Sequence, residues 1–240
     1  MIQTKELFRD DAYLKECEAE VLLITDGNGI ILDKTIFYPT GGGQPGDNGD
    51  LVIAGRKIPI ATTIKDRESG QLIHVPADAN NLPNLGDLAI ARIDWSARYN
   101  RMRMHSALHL LCSVVPCGVT GGQIGEVKSR LDFDVGDTKL DKEQITTAIN
   151  QLISEDHKII TEWISDVELE RNPELVRTMS VKPPSGAGKV RLLKIGDSVD
   201  LQPCGGTHVR STGEIGPIQI SKIENKGKRN RRVNIVFDKQ

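Results

Sequence analysis

From the N-terminus to about Arg92 the chain advances in short apolar runs broken by turn residues: EAEVLLIT, DGNG, IILDKTIFY, a glycine-rich loop, LVIAGRKIPIATTI and GQLIHVP. The β-branched content and glycine punctuation predict several antiparallel strands forming a small barrel or sandwich. At Asp94 the texture changes. DWSARYNRMRMHSALHLLCSVVP contains no glycine, offers Asp94 or Ser96 as an N-cap and stops at Pro116, which predicts a helix over about Ser96–Val115. DKEQITTAINQLISED has Asp141 and Gln144 at capping-box spacing and apolar residues at helical intervals, and predicts a second helix. The remainder alternates strands (VRLLKIGD, GPIQISKIE, RRVNIVFD) with turns. The expected fold class is therefore α+β, with an antiparallel β-barrel domain over residues 1–92 followed by an α+β domain over residues 93–240.

Composition narrows the function classes. Four cysteines in 240 residues are too few for a disulfide framework. The opening MIQTKELFRDDAYLKE is charged from its fifth residue and lacks the apolar core of a signal peptide, and no apolar run approaches a membrane span. A cytoplasmic location is expected, where cysteines serve as metal ligands or small buried hydrophobes. The net charge of -2 excludes a protein basic all over, and leaves local patches to be read locally.

Two short motifs carry candidate chemistry. In HSALH, His105 and His109 stand four residues apart, so one helical turn stacks both imidazoles on one face. In PCGGTH, Cys204 and His208 are separated by a glycine pair that lets a loop turn both side chains toward one point. Three of the five histidines fall in these motifs. His74 and His157 have no such company and read as ordinary strand and helix-surface residues. Cys112 lies on the same helix face as the histidines but roughly 10 Å along the axis from His105, too far to share one ion with it. Cys112 reads as core, and so do Cys17 and Cys117. The ligand set left is His105, His109, Cys204 and His208, and imidazole with one thiolate favours zinc over magnesium or calcium.

These motifs, the loop FYPTGGGQPGDNGDL (Phe37 to Leu51) and the run CGGTHVRSTGEIGPIQISKIENKGKRNRR resemble the editing domain of alanyl-tRNA synthetases, and look most like its free-standing relatives, the AlaX alanyl-tRNA editing proteins. The likeness runs from the glycine loop through HSALH, SRLDF, KVRLLKIGDS and CGGTHV in order. Nothing resembles an aminoacylation domain. The resemblance implies zinc-dependent hydrolysis in trans of mischarged tRNA(Ala), chiefly Ser-tRNA(Ala) and secondarily Gly-tRNA(Ala). A synthetase pocket sized for alanine cannot exclude glycine, so a second, hydrolytic sieve is the physical remedy. Two alternatives stand beside it: a non-catalytic zinc-stabilised tRNA-binding module, and an editor of another seryl-tRNA.

Within that expectation His105, His109 and Cys204 are firm ligands, while His208 is either a fourth ligand or the catalytic group that handles the proton of water. Thr40, Gln44 and Ser106 are candidates to bond the serine hydroxyl, with Gln44 also a catalytic candidate. Gly41, Gly42 and Gly43 line the same substrate loop and fit a hairpin turn with positive φ. The glycine loop is expected to reach from the first domain to the zinc site. From Lys222 to Arg232 the chain holds six basic residues against one acid. Lys226, Lys228, Arg229, Arg231 and Arg232 are expected to contact phosphates of the tRNA acceptor stem, joined by Arg98, Arg101 and Arg103 from the histidine helix. Aromatics are only 4% of the chain, so backbone and shape recognition is expected to outweigh base stacking. SGAGKV, Ser185 to Val190, lacks the first glycine and the Ser/Thr of a phosphate loop, so no ATP is expected. No membrane partner is expected either.

Overall fold

A computed structural model of the chain describes residues 3–176 and 188–238. The chain forms two compact units, Met1–Tyr99 and Asn100–Gln240. In the first unit the strands are β1 (Lys5–Glu6), β2 (Glu16–Ile24), β3 (Ile30–Leu32), β4 (Lys34–Thr35), β5 (Gly49–Ile53), β6 (Arg56–Lys65), β7 (Leu72–Pro76) and β8 (Leu88–Ile93). Six of them close a barrel in the order β2-β3-β7-β6-β5-β8, and β1 pairs in parallel with β4. Period-two alternation fills the barrel: along β8, Ala89, Ala91 and Ile93 are buried while Leu88 and Arg92 are exposed. Ala19, Val21, Ile30, Leu32, Leu51, Ile58 and Ile60 complete the same core. IILDKTIFY, which reads as one strand, is two. Asp33 breaks it, because its carboxylate accepts the N–H groups of Glu20 and Lys34, both at 2.8 Å.

The glycine loop leaves and rejoins the barrel through Tyr38 and Asp47. Asp47 N–H donates to Tyr38 O at 2.9 Å, and Tyr38 N–H donates to Asp47 Oδ2 at 2.6 Å. At its tip Gly41 and Gln44 exchange backbone hydrogen bonds of 3.0 and 2.9 Å. Gly42 and Gly43 between them sit at φ 57° and 81°, the double left-handed conformation a two-residue hairpin needs. Helix α1 (Trp95–Val114) begins at Asp94, whose Oδ1 accepts Ala97 N–H at 3.1 Å. The boundary between the units falls just beyond its first turn.

The second unit holds β9 (Gly118–Gln123), β10 (Lys128–Asp134), α2 (Lys142–Ser154), β11 (Ile159–Ser165), α3 (Asp166–Arg171), β12 (Lys189–Ile195), β13 (Asp200–Pro203), β14 (Ile218–Asn225) and β15 (Asn230–Phe237). They build an antiparallel sheet β14-β15-β10-β9 and a second sheet β11-β12-β13. Helix α2 is capped by Asp141, whose Oδ1 accepts Glu143 and Gln144 N–H, and it buries Ile145, Ile149 and Ile153. Asn150 brackets β14 by exchanging hydrogen bonds of 2.7 and 2.9 Å with the backbone of Ile218. The reciprocal capping box lies instead at Ser165 and Glu168, opening α3. The first half of SGAGKV, residues 185–187, lies outside the described residues. The fold is mixed α+β with a closed six-strand barrel. Among the described residues no helix is long and apolar enough to cross a membrane.

Candidate metal centre

On α1, His105 and His109 lie on a buried stretch, 8% and 5% exposed. Beyond β13 the chain turns back through Cys204 to His208, and this loop is fastened to β12. Arg191 Nη1 donates to Cys204 O and Gly206 O, both at 2.9 Å, and Cys204 N–H donates to Arg191 O at 3.0 Å. The potential ligand atoms of His105, His109, Cys204 and His208 all lie within 4.8 Å of one another. Cys204 Sγ is 3.5 Å from His105 Nε2 and 3.2 Å from His208 Nε2. Tetrahedral zinc with bonds of about 2.0–2.3 Å sets neighbouring donors about 3.3–3.8 Å apart, so the donor types suit one zinc ion and the Cys204 spacings lie near that range.

Supporting groups orient the rings. Asp200 Oδ2 lies 2.8 Å from His109 Nδ1 and also accepts from Gln202 Nε2 at 2.7 Å. A carboxylate at Nδ1 leaves Nε2 of the ring to serve as ligand. Ser106 Oγ sits 3.3 Å from His208 Nδ1 and accepts Val209 N–H at 3.3 Å, tying the loop to α1. The electrostatics run the same way. Burial pushes the Cys204 thiol up, but His105 and His208 beside it overcome that and hold it well below its ordinary value. Burial and the His105 charge push His208 well below its ordinary value. Burial opposes protonation of His109 as well, yet Asp200 and the Cys204 thiolate raise it to about 10. The Cys204 thiolate and the neutral His208 imidazole are the states that metal ligation requires, whereas His109, held protonated by Asp200 and Cys204 in the metal-free chain, gives up that proton when a metal binds.

The other expected site residues divide. Thr40 Oγ1 donates to Thr63 O at 3.3 Å and accepts Gly46 N–H at 2.9 Å, so it fastens the glycine loop. Gly41, Gly42 and Gly43 form the tip, and Gln44 is fully buried behind it. Ser106 is buried in the metal centre. Arg98 does not belong to a surface patch: it is 0% exposed and ion-paired with Asp47. Its guanidinium also donates to Ala12 O at 2.9 Å and Ile36 O at 2.6 Å, so no phosphate can reach it. Arg101 is buried against Glu126 at 2.7 Å, and Arg103 donates to Ile215 O at 2.8 Å while lying over the Phe237 ring. On the β14–β15 hairpin, Lys226 pairs with Glu224, Arg229 with Asp134 and Arg232 with Asp132. Lys228 is exposed, and Arg231 donates to Gly227 O and Asn230 O. Cys112 is buried as expected, whereas Cys17 and Cys117 are half-buried. His157 follows the turn after α2 and meets Glu155 at 2.6 Å.

Sequence reasoning missed Asp200, Gln202 and Arg191. Their signal is two polar residues alternating along VDLQP just ahead of Cys204, and one arginine inside the apolar run KVRLLKI.

Two family models match the chain: "tRNA synthetases class II (A)" over residues 5–97, and "Threonyl and Alanyl tRNA synthetase second additional domain" over residues 190–234, which contain Cys204 and His208. A barrel unit matched by the one model and a Cys204–His208 loop matched by the other define a protein of the class that shares domains with the tRNA synthetases. The chain is 36% identical to the alanyl-tRNA editing protein AlaX-M of Methanosarcina acetivorans, over 96% of this chain and 97% of that protein. It is 37% identical to AlaX-M of Saccharolobus solfataricus over the same shares. The alanine–tRNA ligase of Pyrobaculum neutrophilum is 32% identical over 92% of this chain, but over only 25% of the ligase. The chain belongs to the AlaX family of alanyl-tRNA editing proteins.

Proposed function

We propose that the protein hydrolyses the ester of mischarged tRNA(Ala), chiefly Ser-tRNA(Ala) and secondarily Gly-tRNA(Ala), at a zinc centre formed by His105, His109, Cys204 and His208. The observation that carries this reading is the buried convergence of three imidazoles and one thiol within 4.8 Å, in a chain matched along nearly its whole length by alanyl-tRNA editing proteins. Zinc held there by His105, His109 and Cys204, with His208 yielding the fourth position, would supply a Lewis acid able to polarise an ester carbonyl or acidify water. The rest falls to the chain. Asp200 and Gln202 hold the His109 ring, Arg191 holds the Cys204 loop, and Ser106 keeps His208 beside the centre, where it can take the proton of water. In the net reaction water adds its oxygen to the acyl carbon, the ester C–O bond breaks, and the ribose hydroxyl leaves with a proton.

Selectivity is assigned to Thr40. Its hydroxyl donates to Thr63 O on β6 and accepts Gly46 N–H within the loop, which leaves a lone pair to accept from the substrate serine hydroxyl. The tRNA acceptor stem is assigned to the β14–β15 hairpin, where an open groove of about 730 Å³ is lined by Lys139, Lys228, Arg229 and Arg231. Purified protein offered Ser-, Gly- and Ala-tRNA(Ala) should release serine fastest and spare the alanyl ester. Equal rates on all three, or none on any, would overturn the reading.

A further inference from the structure

The β11-β12-β13 sheet carries the supports of the metal centre on one face, and that face continues outward to an unexpected residue. In the antiparallel register Ile195 lies opposite Asp200 and Leu193 opposite Gln202, so Arg191, two residues further along β12, shares their face. Across the next ladder Trp163 of β11 lies opposite Arg191, and Ser165 opposite Lys189. Directly paired residues on neighbouring strands project to the same side and stand about 5 Å apart at Cα. One row therefore runs from the groups that hold His109, through the arginine that holds the Cys204 loop, to Trp163 at the sheet edge.

Burial changes sharply along that row. Arg191, Asp200 and Gln202 are buried, whereas Trp163 is 52% exposed. The chain's other tryptophan, Trp95, stacks on Tyr99 and meets Tyr13 at a tilt, with Lys15 over its ring. Lys189, two residues from Arg191 on the same face, is exposed, and among the described residues no carboxylate pairs with it. An exposed indole next to an unpaired ammonium, one strand from the loop that bears the candidate nucleophile-activating centre, is suited to a nucleotide: the ring takes a base and the ammonium a phosphate.

The geometry points to Trp163 as the stacking platform for the base of the 3′-terminal nucleotide, with Lys189 on the adjoining phosphate. This rests on the proposed deacylase reading, because the ester to be cleaved sits on the ribose of that same nucleotide. The base must then lie one sugar ring away from the reacting carbonyl. Trp163 is a positioning residue that binds the substrate end without touching the reacting atoms.

The test uses the full chain and an acceptor-stem minihelix RNA in two forms, one ending in adenosine and one ending in an abasic nucleotide. Loss of a base stack should weaken binding about tenfold, toward the lower end of the range for one stacked base. The adenosine-ended RNA, uncharged, should quench indole fluorescence of the wild-type chain, and Trp163→Phe should lose that quench while keeping most of the affinity. Trp163→Ala should bind this RNA about tenfold more weakly, yet match wild type on the abasic RNA, with zinc content unchanged. With serine esterified to the adenosine-ended RNA, Trp163→Ala should raise KM and leave kcat within twofold. Equal affinity of wild type and Trp163→Ala for the adenosine-ended RNA, or an equal deficit on both RNAs, would overturn the assignment. The fluorescence and binding arms need no turnover, so a wild-type chain that binds but hydrolyses nothing refutes the deacylase reading while still deciding the role of Trp163.

Discussion

Asp47→Ala isolates the buried charge that anchors the glycine loop. Asp47 and Arg98 are ion-paired with side chains 1% and 0% exposed, and Asp47 Oδ2 accepts from Arg98 Nε at 2.9 Å and from Tyr38 N–H at 2.6 Å. Truncation leaves a guanidinium in the interior without its counter-charge and an amide without its acceptor. Breaking one side of a buried pair costs about 3–5 kcal/mol, and an orphaned buried donor about 1–3 kcal/mol. Because both penalties arise from one lost carboxylate, a total of about 4 kcal/mol is expected, a large share of the roughly 5–15 kcal/mol typical of a domain. Urea unfolding of the full chain in a Trp163→Phe background lets Trp95, which lies in the first unit, report the relevant transition. The midpoint should fall at constant m. The double variant Asp47→Leu, Arg98→Met removes charge from both sides and should be more stable than Asp47→Ala alone, although Ala12 O and Ile36 O then lose a donor. A loss under about 1 kcal/mol for Asp47→Ala, or a double variant no better than the single, would refute this account of the pair.

Wild type should carry one zinc per chain by metal analysis, and Cys204→Ala should lose it; equal contents would remove the metal assignment. Asp200→Asn should keep the fold but weaken zinc affinity about 10–100-fold in a chelator competition. His74 is wholly buried between Ile30 O and the Thr35 hydroxyl, and burial pushes its pKa down to about 4. The unfolded chain then binds a proton that the folded chain refuses: the contribution is intact above about pH 6.5 and falls by about 3 kcal/mol by pH 4. Urea midpoints at pH 7.5, 5.5 and 4.5 should thus drop more steeply for wild type than for His74→Gln, and parallel curves would refute it. On the basic hairpin, Lys228→Ala with Arg231→Ala should flatten the slope of log affinity against log salt by about 2, since each phosphate contact contributes nearly one. Arg232→Ala, which breaks the pair with Asp132 at 2.8 Å, should mainly lower stability. Thr40→Val should slow Ser-tRNA(Ala) hydrolysis and leave the Gly-tRNA(Ala) rate little changed; a matched fall on both would reassign Thr40 to loop shape alone.

Local signals in the sequence were strong wherever one residue's neighbours decide its fate. Asp94 before a glycine-free stretch and Pro116 after it bound helix α1, and a four-residue spacing put His105 and His109 together. What neighbours in sequence cannot reveal is which strand meets which. Closure of the barrel depends on β8 pairing with both β2 and β5, and DLAIARI, with its small alanines and an exposed leucine, gave a weak strand signal. Arg98 misled for the same reason. It sits in the same basic stretch of the helix as Arg101 and Arg103, and only the fold brings Asp47 and two carbonyls against it. Asp200 became legible once the register of β13 set it against His109, 91 residues away.

The separation of the two halves of the metal centre has a consequence for biosynthesis. His105 emerges from a ribosome 99 residues before Cys204, so a nascent chain displays a pair of imidazoles long before the thiolate and third imidazole exist. Two neutral ligands hold zinc weakly, and the thiolate supplies the negative charge. If the proposed zinc is bound there, tight loading waits until the strand bearing Asp200 and the loop after it have been made. On that proposal metal capture comes late in synthesis: a chain cut short before Cys204 lacks the thiolate, while a completed one joins groups nearly a hundred residues apart.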